Sequence, residues 1–124
     1  MFKHGLVALL IAVTATATVA HAQQKKGANG GMVVTSQGHP IEFVAKGQDL
    51  VFYINDDDGS PLSTKAMRGR ATVQDGGKTT TVPLEPAAPN IMIGKLQAPL
   101  GSKARVVFSA NLHGHALTAR YVTE

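Results

Sequence analysis

The stretch Ile41-Glu42-Phe43-Val44-Ala45-Lys46-Gly47-Gln48-Asp49-Leu50-Val51-Phe52-Tyr53-Ile54 decides how the chain is read. Ile41, Phe43 and Ala45 alternate with Glu42, Val44 and Lys46, and Leu50, Phe52 and Ile54 repeat the alternation after a short break. A period of two is the mark of a β-strand with one face on a core. The break, Gly47-Gln48, is a tight turn, so the stretch predicts a hairpin over 41–46 and 50–55. The second strand carries Val51 and Tyr53 on its other face, which predicts a central strand covered on both sides.

Outward from this hairpin, short runs rich in β-branched and aromatic residues recur about every ten residues, each bounded by Gly, Pro, Asn or Asp. Residues 32–36 form one run. Residues 61–64, led by proline, suit an edge strand. Residues 70–74 and 79–84 flank Asp75-Gly76-Gly77, a turn in which glycine supplies positive φ. Pro83, Pro86 and Pro89 predict an irregular path over 82–90. Residues 91–96 follow, and 103–110 pair with 115–123 across 111–114. No sustained helical period occurs. The fold class is therefore all-β: a single Ig-like antiparallel β-sandwich of about seven to nine strands over residues 32–124. Its expected core is Phe43, Phe52, Ile54, Val73, Leu84, Ile93, Val106, Phe108, Leu117 and Tyr121. Residues 23–31, polar and Gly-rich, are expected to be a flexible tail.

The first 22 of the 124 residues read as a signal peptide: Lys3 gives a basic start, residues 6–20 an apolar run, and Ala20-His21-Ala22 a small-x-small cleavage site. A retained anchor would need about 20 strongly apolar residues, and this run has about 15, diluted by Thr14, Thr16 and Thr18. The expectation is a periplasmic or secreted protein of 102 residues, cleaved after Ala22. It keeps 11 of the 12 Lys and Arg and all 8 Asp and Glu, a net charge of +3 with His neutral. With no Cys, disulfide scaffolds, thiol redox chemistry and thiolate metal sites are excluded. Lys65, Arg68, Arg70, Lys78, Lys95, Lys103, Arg105 and Arg120 are scattered singly, with no basic tract interleaved with aromatics. The charge therefore points to no nucleic acid and no membrane, only to an ordinary exported surface, and no membrane insertion is expected after signal removal.

Two constellations bear on chemistry. Asn55-Asp56-Asp57-Asp58-Gly59 invites a calcium reading, but with Gly59 at the turn of an EF-hand loop the first ligand position falls on Ile54 and the twelfth on Lys65. A solvated turn is the plainer interpretation. Histidine is the second class. His113 and His115 flank Gly114, and on an extended segment residues two apart share a face, so both imidazoles are candidate ligands of one ion, with His39 as a third. Imidazole with the thioethers of Met32, Met67 and Met92 suits copper or another transition metal. Against this, His-Gly-His can simply close a hairpin, and methionines fill small cores. Catalysis has little footing: there is no Gly-x-Ser-x-Gly elbow, and nothing sets Glu42 opposite Glu85 across a cleft.

The succession Asn29-Gly30-Gly31-Met32-Val33, Ile41-Glu42-Phe43-Val44, Phe52 through Pro61, Val82-Pro83-Leu84-Glu85-Pro86 and Leu117-Thr118-Ala119-Arg120-Tyr121 resembles a family of small exported bacterial β-sandwich domains. They are similar to periplasmic segments found beside or fused to adaptor subunits of heavy-metal efflux systems. The resemblance implies a non-catalytic periplasmic accessory protein of metal homeostasis or efflux, with weak His-based metal binding and an efflux or envelope protein as partner. The family's His before the Gly pair is Asn29 here. The end of the chain also resembles small periplasmic copper carriers, whose amino-terminal His is missing, so no copper site is carried over from them. The competing reading is an envelope protein-protein interaction module with no metal role, in which a strand edge adds to a partner's sheet.

Overall fold

The computed structural model describes residues 25–124; the expected leader, 1–22, lies outside them. The described residues contain no helix and nine strands: β1 (Lys25–Lys26), β2 (Met32–Ser36), β3 (His39–Lys46), β4 (Asp49–Ile54), β5 (Arg68–Asp75), β6 (Lys78–Ala87), β7 (Ile91–Lys95), β8 (Arg105–Leu112) and β9 (His115–Val122). All pairings are antiparallel, in the order β1-β2-β3-β4-β7-β6-β5-β8-β9. Hydrogen bonding is continuous through β6, which pairs with β5 from Lys78 to Leu84 and with β7 from Glu85 to Ala87. The sheet curls, and its two ends approach where the Thr118 amide donates to Ser36 Oγ at 3.0 Å.

Turn chemistry sets this order. Gln37-Gly38, Gly76-Gly77 and His113-Gly114 each have positive φ at both positions, the two-residue turn whose twist matches that of the flanking strands. At Gly47-Gln48 only the glycine does.

The curl encloses one core. Phe43 and Phe52 from the first half of the sheet meet Phe108 and Tyr121 from the second, with ring centroids 4.8–6.1 Å apart. Ile41, Ile54, Met92, Val106 and Leu117 fill in around them. Aromatic pairs at such spacing add about 0.5–1.5 kcal/mol each beyond their area.

Four expectations are corrected. Residues 61–64 form no strand; only an isolated bridge joins Asn55 to Pro61. Residues 82–87, expected to be irregular, continue β6 through Pro83 and Pro86. Each part of β6 is paired along one side, so a proline removes only a donor that faces the other. Ile93 is half-buried, and Met92 takes the core position because register sets it opposite Phe52. Finally, residues 25–31 of the expected flexible tail are fastened down. Lys25 and Lys26 pair with Val33 and Met32, and the turn that follows closes on the Glu42 carboxylate.

Candidate functional site

The strongest gathering of metal-ligating groups lies at the end of the sheet where the β2–β3 turn meets the loop after β4. The Gln37-Gly38 turn sets His39 at the start of β3, half-buried. The Asn55 amide donates to the Pro40 carbonyl at 2.9 Å, and Asn90 Nδ2 donates to the Ile54 carbonyl and to Asn55 Oδ1, each at 3.0 Å. These bonds hold the root of the acidic loop beside His39. His39 Nδ1 lies 3.2 Å from the Asn55 carbonyl oxygen, which can only accept, so Nδ1 carries the proton. In the neutral ring the lone pair is then on Nε2, across the ring from Asn55 and Asp56, and Nδ1 can face an ion at the loop only by giving up its proton. Asp56 Oδ1 is 3.7 Å from the same Nδ1.

Asp56, Asp57 and Asp58 each present a carboxylate oxygen within 4.8 Å of the others, the one such group of three among the described residues. Two oxygens bound to one calcium ion lie within about 5 Å of each other, so the spacing fits a hard divalent cation. Part of this carboxylate capacity shapes the loop instead. Asp56 Oδ1 accepts from the Asp57 amide at 2.8 Å, and Asp58 Oδ1 from the Ser60 amide at 2.9 Å. The Ser60 hydroxyl and amide hold the Asp58 carboxyl below the usual carboxylate range.

The histidine pair sits differently from its expected extended geometry. His113 occupies the first position of the β8–β9 turn with φ of 48°, and His115 begins β9 opposite Leu112; both are exposed. The rule that residues two apart share a face applies to extended chain and not to this turn. His39, His113 and His115 do not come together within 4.8 Å. They do share one end of the molecule: Thr118 touches Ser36, and His115 stands three residues, about 10 Å, further along β9.

A second polar centre escaped the sequence reading. Glu42 is buried among apolar strand residues and makes no salt bridge among the described residues. Its carboxylate accepts from the Asn29 amide at 3.0 Å, Asn29 Nδ2 at 3.0 Å and the Gly31 amide at 2.7 Å. Gly27 and Gly31 make this wrap possible, because a Cβ at Gly27 would fall 2.2 Å from Glu42 Cδ and one at Gly31 2.2 Å from the Phe43 carbonyl oxygen. The available signal was a lone glutamate in an apolar strand preceded by closely spaced glycines. Nearby, Tyr121 donates to the Ile41 carbonyl at 2.6 Å. Burial, and secondarily the Glu42 charge, push its phenol far above the ordinary range.

The residues Pro61, Thr64, Lys65, Pro86, Ala87 and Pro89 line a shallow apolar groove of about 480 Å³. Its one ionisable side chain is Lys65, so it holds no acid-base pair. No protein family, curated protein or solved structure matches this chain.

Proposed function

We propose that the chain is a non-catalytic periplasmic accessory domain of metal homeostasis or efflux that holds a divalent transition-metal ion weakly at the corner between His39 and the loop of Asp56, Asp57 and Asp58. One observation carries the reading: His39 Nδ1 stands 3.7 Å from Asp56 Oδ1, in a loop whose three carboxylates lie within 4.8 Å of one another, so an ion held between them would take the place of the Nδ1 proton. A single imidazole with exposed carboxylates favours copper, nickel or zinc over calcium, and exposure keeps the affinity low. The efflux setting is supported by the sequence resemblance alone. The finer fold reading, an Ig-like sandwich, is supported by the two halves of the sheet facing each other across the aromatic cluster.

Calorimetric titration with copper, nickel and calcium tests the site. Saturable one-to-one binding is expected, lost in His39→Ala/Asp56→Asn and kept in His113→Ala/His115→Ala. Loss in the second variant alone moves the site to the hairpin, and absence of heat with every ion removes the metal reading.

The alternative is an envelope interaction module with no metal role. It is favoured by the position of β9 at the end of the sheet order, where its outer edge meets β2 near Ser36 but is not laddered to it. An unpaired edge accepts a partner strand.

A further inference from the structure

The arginines scattered through the sequence converge in the fold. Outward positions of β5, β8 and β9 are set by register: Arg68 lies beside Asn111, Arg70 beside Ser109, Val107 beside Arg120, and Arg105 beside both Gln74 and Val122. Their inward neighbours, such as Val73, Phe108 and Leu117, are buried, so Arg68, Arg70, Arg105 and Arg120 all emerge on one exposed face. Arg68 and Arg70 stand about 7 Å apart along one strand, and Arg105 and Arg120 are diagonal neighbours at about 7–8 Å. No Asp or Glu occupies an outward position between them. Among the described residues none of the four makes a salt bridge or donates a side-chain hydrogen bond. Lys103 adds a fifth cation at the border, where it lines a polar hollow with Gln74, Gly76 and Arg105. Exposed like charges gathered on one face without partners make a concentrated positive patch that an external anion would complement.

We propose that this face docks the domain onto an anionic phospholipid surface. Guanidinium groups take phosphate oxygens in a two-pronged fit, and the neighbouring Thr72, Ser109 and Thr118 add further donors. The face is the convex side of a curled sheet, about 10 Å by 20 Å, with no groove to follow a nucleic-acid backbone. It carries no aromatic side chain on which bases could stack. It also lacks the aromatic anchor typical of a protein hot spot, and its hollow of about 370 Å³ is bordered by Thr72, Gln74, Arg105, Arg120 and Val122, a polar and cationic rim suited to a phosphate. Mobile headgroups need no aromatic anchor. Val122, at 46% exposure the one exposed large hydrophobic side chain among the described residues, lies next to Arg105 and supplies an apolar contact at the headgroup boundary. This inference does not depend on the metal reading, and it gives the interaction reading a partner chemistry.

Co-sedimentation of the full chain with vesicles tests it, comparing phosphatidylcholine alone with phosphatidylcholine containing one third phosphatidylglycerol, a composition rich in exposed phosphate charge. The apolar stretch 6–20 is common to every variant, so differences between variants isolate the face. The expected result is preferential binding to the anionic vesicles, weakening as salt rises. Each arginine near the surface is worth about fivefold, so Arg105→Gln/Arg120→Gln should lose roughly 25-fold. Lys65→Gln/Lys95→Gln, with the same change in net charge elsewhere on the surface, should lose far less; matching thermal melts confirm that both variants fold. Equal binding to both vesicles overturns the proposal, as do equal losses in the two double variants. Vesicle silence with capture on an acidic peptide or nucleic-acid resin overturns it as well.

Discussion

The curled sheet has two outer faces that obey the same alternation and end up unlike each other. On β2, β3, β4 and β7 the outward side chains include Val33, Val44, Val51, Tyr53 and Ile93, all buried or half-buried. On the β3 side the chain covers part of this face itself: the turn at 27–31 lies against Glu42, Phe43 and Val44 and leaves no room for a Cβ at Gly31. On β5, β8 and β9 the outward positions carry four arginines and are left open. An apolar outer face needs a cover, and here a buried carboxylate fastens that cover with three hydrogen-bond donors. A cationic outer face needs only water until an anion arrives.

Removing the fastening should have the largest effect. Glu42→Ala leaves the Asn29 and Gly31 amides without their acceptor, and bonds to a charged group contribute about 1.5–3 kcal/mol each, partly replaced by water once the turn lifts. A loss of about 2–3 kcal/mol is expected, together with fast amide exchange at Asn29 and Gly31. If those amides stay protected, Glu42 is not what holds the cover. Next comes Tyr121→Phe, which deletes the bond to the Ile41 carbonyl for about 1 kcal/mol. The same residue makes a pH prediction. Unfolded tyrosine loses its proton near pH 10, whereas burial keeps Tyr121 protonated well beyond that. The folded state then holds more protons than the unfolded one, so stability should fall as pH rises above about 10, and less steeply in Tyr121→Phe. The smallest effect belongs to the exposed acidic loop: Asp57→Asn should shift stability by under about 0.5 kcal/mol, as read from a urea midpoint. A larger loss would mean that the loop braces the sheet as the Glu42 turn does.

How much of this was legible in the sequence depended on whether the deciding interaction was local. The hairpins at Gly47-Gln48 and Gly76-Gly77 follow from turn chemistry within a few residues, and the inward set of Phe43, Phe52, Phe108 and Tyr121 follows from alternation. Pro83 and Pro86 misled because their tolerance depends on which side of β6 is paired, a fact of tertiary context. The Gly-rich segment 27–31 reads as loose chain until Glu42, more than ten residues away, supplies its acceptor. The arginines were visible one by one. Their common face requires the β5-β8-β9 order, which joins strands more than thirty residues apart. The candidate site was half legible: His39 and the aspartates were both seen, but the sequence set His39 with His113 and His115, whereas the fold sets it beside Asp56.

The proposal that a metal ion binds at that corner is tested most directly by titrating the isotope-labelled chain with copper while following its backbone amide resonances. The account predicts broadening that starts at His39 and at residues 55–60 and leaves 112–116 sharp at low metal. Broadening centred on His113 and His115, or a spectrum that copper does not change, would contradict it.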